Sequence, residues 1–475
     1  LLTRHLFIIF ILAISHSPWA APPNTIDLPD IGGAESSALT PAQELALSGQ
    51  IAREVRRSLP VMDDPELNTY LTAVGDRLVS SSPDAKNRMV FLLIDSSEIN
   101  AFAAPGGVIA VNTGLILAAK NESEMAGVVA HEIAHVTQRH LARTYADQAN
   151  MTLKTGLSLL AGLLIGAYDP ELGSAVAMTG MAATEQARLK YSRSNEQEAD
   201  RIGIITLASA GYDPRGMPQF FQTLQKETGQ SGDKIIEYLQ THPLTSSRIS
   251  DSLTRADQYI GDYERTSTEF LFAQARIEAL QKQPREVISD YERIDTAFRK
   301  SPISKYKYAI ALYRHNKPRE SINILNSIEP GERNLAIELA LGEALIKASE
   351  YPHAIKHLSA LKDLYPTYDA INYLLAKAYV ENDDAAAAIS ILTSELFRES
   401  PTPIAYHLLA KAANQDHRKG LSYEAMAEYY FANGKYSDAM GQIEMAIKSE
   451  DLNAIERQRI ENKRDILKTW LDTSK

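Results

Sequence analysis

The stretch "GVVAHEIAHVTQRH", Gly127 to His140, sets three histidines and one glutamate into an otherwise apolar helical pattern. The helix has a start signal in "NESE", where Asn121 can cap and Glu124 stands three residues later to answer it. Met125, Val128, Val129, Ile133 and Val136 give it apolar faces, so it is expected to be largely buried. His131 and His135 are four apart and share one face, close enough to direct two imidazole nitrogens at one point. Glu132 is turned about 100 degrees from His131, where it reaches a water on a metal rather than the metal itself. That is the HExxH arrangement, with two zinc ligands and a general base on one turn. A chance motif with buried core histidines is the bland alternative, so the site must be completed elsewhere in the chain. His140 is not its completion on helical spacing. An extended metzincin pattern needs glycine three residues and a ligand six residues after the second histidine, where this chain has Gln138 and Leu141. His140 turns away from the His131 and His135 face and is expected to be a surface or structural residue.

The sequence contains no cysteine, which excludes disulfides and thiolate ligands and leaves His, Asp and Glu to hold any metal. The best source of a third ligand is "YSRSNEQEADRIGI", Tyr191 to Ile204, in which Glu196 and Asp200 are four apart on a predicted helix. Ala199 and Gly203 there allow close approach to a neighbouring helix. A Glu196 carboxylate gives a His2Glu site with the fourth position left for water. Asp200, one turn on, can orient a ligand imidazole or help the tetrahedral intermediate. The third element is "THPLTSSRI", Thr241 to Ile249. His242, before a proline, is a candidate to contact substrate or to take the open zinc position at rest, and Arg248 is a candidate oxyanion stabiliser.

With 49 Lys plus Arg against 60 Asp plus Glu, the net charge of -11 argues against nucleic acid as a partner. At roughly 100 to 200 residues per domain, 475 residues should hold two or three. Residues 1–20 read as a signal peptide, with Arg4 and His5 ahead of the apolar run Leu6 to Ile14 and a cut placed loosely between Ser17 and Ala21. An uncleaved short anchor is the alternative. Residues 21–40, rich in Pro, Gly and Ser, read as a linker. Thr155 to Ala183 is apolar but broken at Asp169-Pro170, so each half is too short to span a bilayer; together they suit an apolar hairpin over a cleft or against a membrane surface.

Residues 41–262 have mixed texture. "MVFLLI", Met89 to Ile94, and "INAFAAPGGVIAVNTG", Ile99 to Gly114, with turn chemistry at Pro105-Gly106-Gly107, predict a small antiparallel sheet ahead of the motif helix. Residues 266–475 are helical throughout. Ala309, Gly342, Ala376 and Ala410 recur at 33, 34 and 34 residues, and Ser321, Ala354 and Ala388 stand twelve after the first three. Small residues at that period mark the close crossings of helix pairs and resemble the tetratricopeptide repeat. Ala427 and Ala439, around "NGKY", keep the offset of twelve but shift the phase. The fold expected is mainly α: an α+β metallopeptidase domain with a small sheet, followed by an all-α repeat superhelix.

Taken together, "HEIAH", "NEQEADRIGI", "HPLTSSRI" and "NAFAAPGGVIAVNTGL" resemble the gluzincin metallopeptidases related to HtpX and the CAAX-prenyl endopeptidases. The resemblance implies one Zn2+ per chain on His131, His135 and Glu196, Glu132 as general base and Asp200 as a second catalytic residue. It also implies a strand beside the cleft, here Val108, Ile109, Ala110 and Val111, to which a substrate backbone adds. Thr155 to Ala183 occupies the place of the membrane-spanning insertion of other branches, where it can cover the site or touch the membrane peripherally. The exported, repeat-bearing branch implies a periplasmic endopeptidase of a Gram-negative bacterium. Its substrates are unfolded or misassembled outer-membrane β-barrel proteins, and its repeats contact the outer-membrane assembly machinery. A chaperone or docking factor with proteolysis restrained by a closed zinc site is the rival expectation, and a purely structural zinc site a third.

Overall fold

The structure is a computed structural model that describes residues 41–83, 88–104, 106–140, 192–228, 236–394 and 402–473. The expected signal peptide, the linker and the apolar pair at 155–183 lie outside the described residues. Among the described residues no helix is long and apolar enough to cross a membrane.

Helices α1 (Pro41–Ser58) and α2 (Pro65–Ser81) precede strands β1 (Val90–Ile94), β2 (Ala101–Ala104) and β3 (Val108–Asn112), followed by α3 (Thr113–Ala118) and α4 (Glu122–Thr137). Pro65 suits the first turn of α2, where an amide has no helical partner, and Asp64 accepts from the Leu67 amide at 3.0 Å. Gly106 and Gly107, with φ of 84° and 83°, make the tight turn that folds β2 antiparallel onto β3. The expected antiparallel sheet is corrected at β1, which pairs parallel with the other edge of β3 in the order β1-β3-β2. The chain between β1 and β3, residues 95–107, is long enough for that crossover and contains β2 within it.

The middle place of β3 explains its unbroken apolar run. Ile109 and Val111 join Leu71, Val129 and Ile133 in one core, while Val108 and Ala110 join Ile51 and Val55 of α1 on the other face. It also corrects the expected substrate strand. Both edges of Val108–Val111 are already paired, so no further strand can add there, and the edge lying along α4 is β2.

Helices α5 (Arg193–Ser209), α6 (Gly216–Thr228), α7 (Ile236–Thr241) and α8 (Ser246–Ala256) complete the first half. A Cβ at Gly203 would lie 2.6 Å from the Met217 Cε and 3.2 Å from the His131 amide nitrogen, so glycine is what lets α5 cross α4 beside that histidine.

From Thr268 onward the chain forms antiparallel helix pairs, among them Pro302–Arg314 with Pro318–Asn326 and Leu335–Lys347 with Tyr351–Leu364. The small residues twelve apart meet at the crossings: Ser321 Oγ donates to the Ala309 carbonyl at 2.8 Å, and Ser422 Oγ to that of Ala410 at 2.9 Å. Four turns carry one residue each in the left-handed region, at Asn316, Ser349, Asp383 and His417, which keep the 33- and 34-residue period, while the out-of-phase turn before Tyr436 uses Gly434. Helix Thr268–Gln281 belongs to two cores, sending Phe270 and Ile277 into the first and Phe272 and Ala279 into that of the repeats. On it, fully buried Arg276 pairs with Asp64 at 2.8 Å, Glu66 at 3.0 Å and Glu343 at 2.9 Å, tying α2 to the repeats. Farther along, the Arg53 guanidinium of α1 lies over Phe431 at 4.4 Å and Trp470 at 4.7 Å.

Candidate active site

Asn121 caps α4 by accepting from the Glu124 amide at 3.0 Å, and Glu124 accepts in turn from the Lys120 amide at 2.9 Å. The cap fixes the helix start, and the helix then sets His131, Glu132 and His135, all buried, against α5. Ser192 caps α5 by accepting from the Asn195 amide, so Glu196 falls in the first turn and Asp200 one turn later, both buried. His242 stands just after α7, its amide bonded to the Tyr238 carbonyl at 2.8 Å. Thr245 then caps α8, which brings Arg248 into the same centre.

His131, His135, Glu196 and His242 converge, with one ligand atom from each lying within 4.8 Å of the others. Nε2 of His131 is 3.0 Å from Nε2 of His135 and 3.4 Å from Nδ1 of His242. Glu196 Oε1 is 3.4 Å from His135 Nε2 and 3.1 Å from His242 Nδ1. Ligand atoms about 2.0–2.1 Å from a tetrahedral zinc are roughly 3.3–3.4 Å apart, so this set fits that ion. Charge agrees. Glu196 and Asp200 both bond to the Arg248 guanidinium, and Glu132 is a third buried carboxylate beside His242, so a divalent cation would find negative charge to balance there. The same negative charge acts on His131: burial pulls its imidazole down, but contacts with Asp200 and Glu196 outweigh it and bring it up to about 9. Burial also opposes ionisation of Glu196, yet His242, His131 and His135 hold it well below the usual carboxylate range.

Asp200 Oδ1 lies 3.0 Å from His131 Nδ1, behind the edge that faces the cluster. Arg248 grips Asp200 through Nε and Nη2, each at 2.8 Å, and uses Nη1 for Glu196 Oε2 at 2.6 Å and the Pro243 carbonyl at 2.8 Å. The guanidinium of this candidate oxyanion stabiliser is therefore engaged with both carboxylates. Glu132 is the contrast. No hydrogen bond of good geometry reaches either of its buried oxygens among the described residues; the Ala103 amide faces the carboxylate, and His242 Nε2 lies 3.4 Å from Oε1. Burial raises its pKa, against the pull of His242 and His131.

Three participants escaped the sequence reading. Tyr238 stacks on His242 with centroids 4.8 Å apart, and its buried hydroxyl has no hydrogen-bond partner among the described residues. The only signal for it is an aromatic residue one helical turn before the histidine. His140, expected as a surface or structural residue, is not at the surface: it is fully buried, with Nδ1 2.9 Å from His135 Nδ1 and Nε2 3.0 Å from Glu198 Oε2. Extrapolating the helix misplaced it, because α4 ends at Thr137 and Arg139 takes a left-handed φ of 56°, which turns His140 back. Glu198 carries no signal of its own in sequence.

Two histidines one turn apart, a glutamate from a neighbouring helix and a buried carboxylate with no close hydrogen bond define a zinc-dependent metallopeptidase. The comparisons with known proteins agree. Residues 65–256 match Peptidase family M48. The chain is 33% identical over 451 residues to the beta-barrel assembly-enhancing protease of Yersinia pestis, covering 93% of this chain and 91% of that one. The Escherichia coli (strain K12) protein of the same name is 33% identical over 450 residues with the same coverage. The mitochondrial metalloendopeptidase OMA1 of Arabidopsis thaliana is 36% identical over 157 residues, 33% of this chain and 29% of that one. The chain thus belongs to the M48 metallopeptidases, alongside the beta-barrel assembly-enhancing proteases, and is a zinc metalloendopeptidase.

Proposed function

We propose that this protein is an endopeptidase of the Gram-negative periplasm that removes misfolded or stalled outer-membrane β-barrel proteins and, through its repeats, assists their assembly. The names of the full-length relatives support the task, and the expected signal peptide supports the location. We take 41–262 as the peptidase unit and 266–475 as the repeat unit, the latter offering its surface to the assembly machinery.

The observation that carries the chemistry is the buried Glu132 carboxylate, free of close hydrogen bonds among the described residues, beside a cluster that can hold a metal. In this reading His131, His135 and Glu196 are the ligands. A zinc held there would supply Lewis acidity for a bound water and for the peptide carbonyl. Glu132 takes the proton of the attacking water and delivers it to the departing amine, since no close hydrogen bond ties up either of its oxygens. Asp200 orients His131, and Arg248 orients Asp200 and Glu196. The substrate backbone lies along the β2 edge, Ala101–Ala104, which runs beside α4.

A restrained protease is a second reading, favoured by His242. Its Nδ1 sits among the ligand atoms while its Nε2 lies 3.4 Å from Glu132, so one side chain occupies both the open position and the base. Glu132→Gln separates the tasks. The variant should bind zinc as the wild type does, cleave unfolded outer-membrane protein at least about 10²-fold more slowly, and fail to rescue cells lacking the gene. Undiminished cleavage would overturn the peptidase assignment, and full rescue would move the essential work to the repeats.

A further inference from the structure

We propose that His140 is a positioning residue for the His135 ligand and that Glu198 sets its tautomer, through a line of contacts from Glu198 Oε2 to His140 Nε2 at 3.0 Å and from His140 Nδ1 to His135 Nδ1 at 2.9 Å. The inference rests on reading His135 as a metal ligand. An ionised carboxylate only accepts hydrogen bonds, so the proton between Glu198 and His140 sits on Nε2 of His140. A neutral His140 then presents a lone pair at Nδ1, which accepts the Nδ1–H of His135. That choice leaves the lone pair of His135 on Nε2, the atom that lies 3.0 Å from His131 Nε2 and 3.4 Å from Glu196 within the cluster. The opposite tautomer would turn N–H towards the ligand point and spoil the site.

The placement is built by the backbone. Val136 and Ala134 carbonyls receive the amides of Arg139 and Gln138, and the left-handed Arg139 sends the chain back over the last turn of α4. His140 arrives fully buried, against the edge of His135 that faces away from Glu196. The two imidazoles of the motif are thereby served alike: Asp200 stands directly behind His131, and Glu198 stands behind His135 one imidazole removed. Outer partners of this kind fix ring orientation and raise ligand basicity.

The test is zinc affinity of the full chain, stripped and titrated against a chromophoric chelator, together with the melting temperature of each zinc-free form. His140→Leu, which fills the space without accepting a hydrogen bond, should weaken zinc binding by about 10- to 100-fold while its zinc-free melting temperature stays close to that of the wild type. His140→Gln, whose carbonyl oxygen can still accept from His135, should remain within about threefold. Glu198→Ala removes a side chain that is one-third exposed and keeps the question open if His140→Leu does not fold; it should weaken zinc by roughly three- to tenfold. Wild-type affinity in both His140→Leu and Glu198→Ala overturns the proposal. So does an equal loss in His140→Leu and His140→Gln, which would make His140 a packing residue only. Failure of the wild type itself to take zinc would instead overturn the metal reading, and this inference with it.

Discussion

Asp200 Oδ1 stands 3.0 Å from Nδ1 of His131, while Arg248 holds both oxygens of that carboxylate at 2.8 Å. Three elements, α4, α5 and α8, are joined in this one contact. Burial opposes a charged Asp200, but Arg248 and His131 keep its pKa below the ordinary value, so the carboxylate is ionised where it faces the imidazole. With this carboxylate on its Nδ1 side, His131 keeps Nε2 for the cluster, where that atom would give its lone pair to a bound zinc.

Asp200→Asn should therefore weaken zinc binding by about 10- to 100-fold in a chelator competition, because the neutral amide no longer holds the proton on Nδ1 and leaves Arg248 poorly matched. Wild-type zinc affinity combined with lost peptidase activity would show that Asp200 works on the substrate rather than on His131.

His242 lies among the ligand atoms and beside Glu132 at once. Zinc K-edge absorption of the resting protein should accordingly count one nitrogen ligand more than that of His242→Ala. The variant should also cleave an unfolded substrate several-fold faster, since both the open position and the base are released. Unchanged coordination with slower cleavage would make His242 a substrate contact.

Among the described residues Arg276 is the guanidinium that pairs with Asp64, Glu66 and Glu343 in a buried junction between α2 and the repeats. Removing it strands buried carboxylates. Arg276→Met should cost about 3–5 kcal/mol and lower the melting temperature of the whole chain, as followed by calorimetry. A variant as stable as the wild type would mean that the carboxylates take up protons at little cost.

Glu66 makes the same junction sensitive to pH. Burial raises its pKa to about 8, in spite of Arg276 and the hydrogen bond donated by Tyr306 at 2.7 Å. A carboxyl whose folded pKa lies above its unfolded one contributes stability that is fully present below the unfolded value, near 4.5, and is lost as pH rises through about 8. Glu66→Gln should thus match the wild type near pH 5 and melt roughly 2–4 °C higher at pH 9. An identical pH profile in the two proteins would place the titration elsewhere.

Much of this molecule is written in short-range pattern. The spacing of His131 and His135 and the pairing of Glu196 with Asp200 follow from one helical turn, and the 34-residue recurrence of small residues follows from stacking like helix pairs. Such features need no knowledge of distant neighbours. Other features were decided only when the chain closed on itself. Whether β3 is an edge or a middle strand depends on where β1 crosses, and that is set by burial of both sheet faces rather than by its own residues. Arg248 is tied to Asp200 and Glu196 because three separately encoded helices meet there. His140 is the sharpest case. On a continued helix it points away from the ligands, but one left-handed residue, Arg139, ends the helix and turns the side chain against His135. Local periodicity determined which residues share a face; helix ends, strand order and charge pairing across elements decided which faces meet.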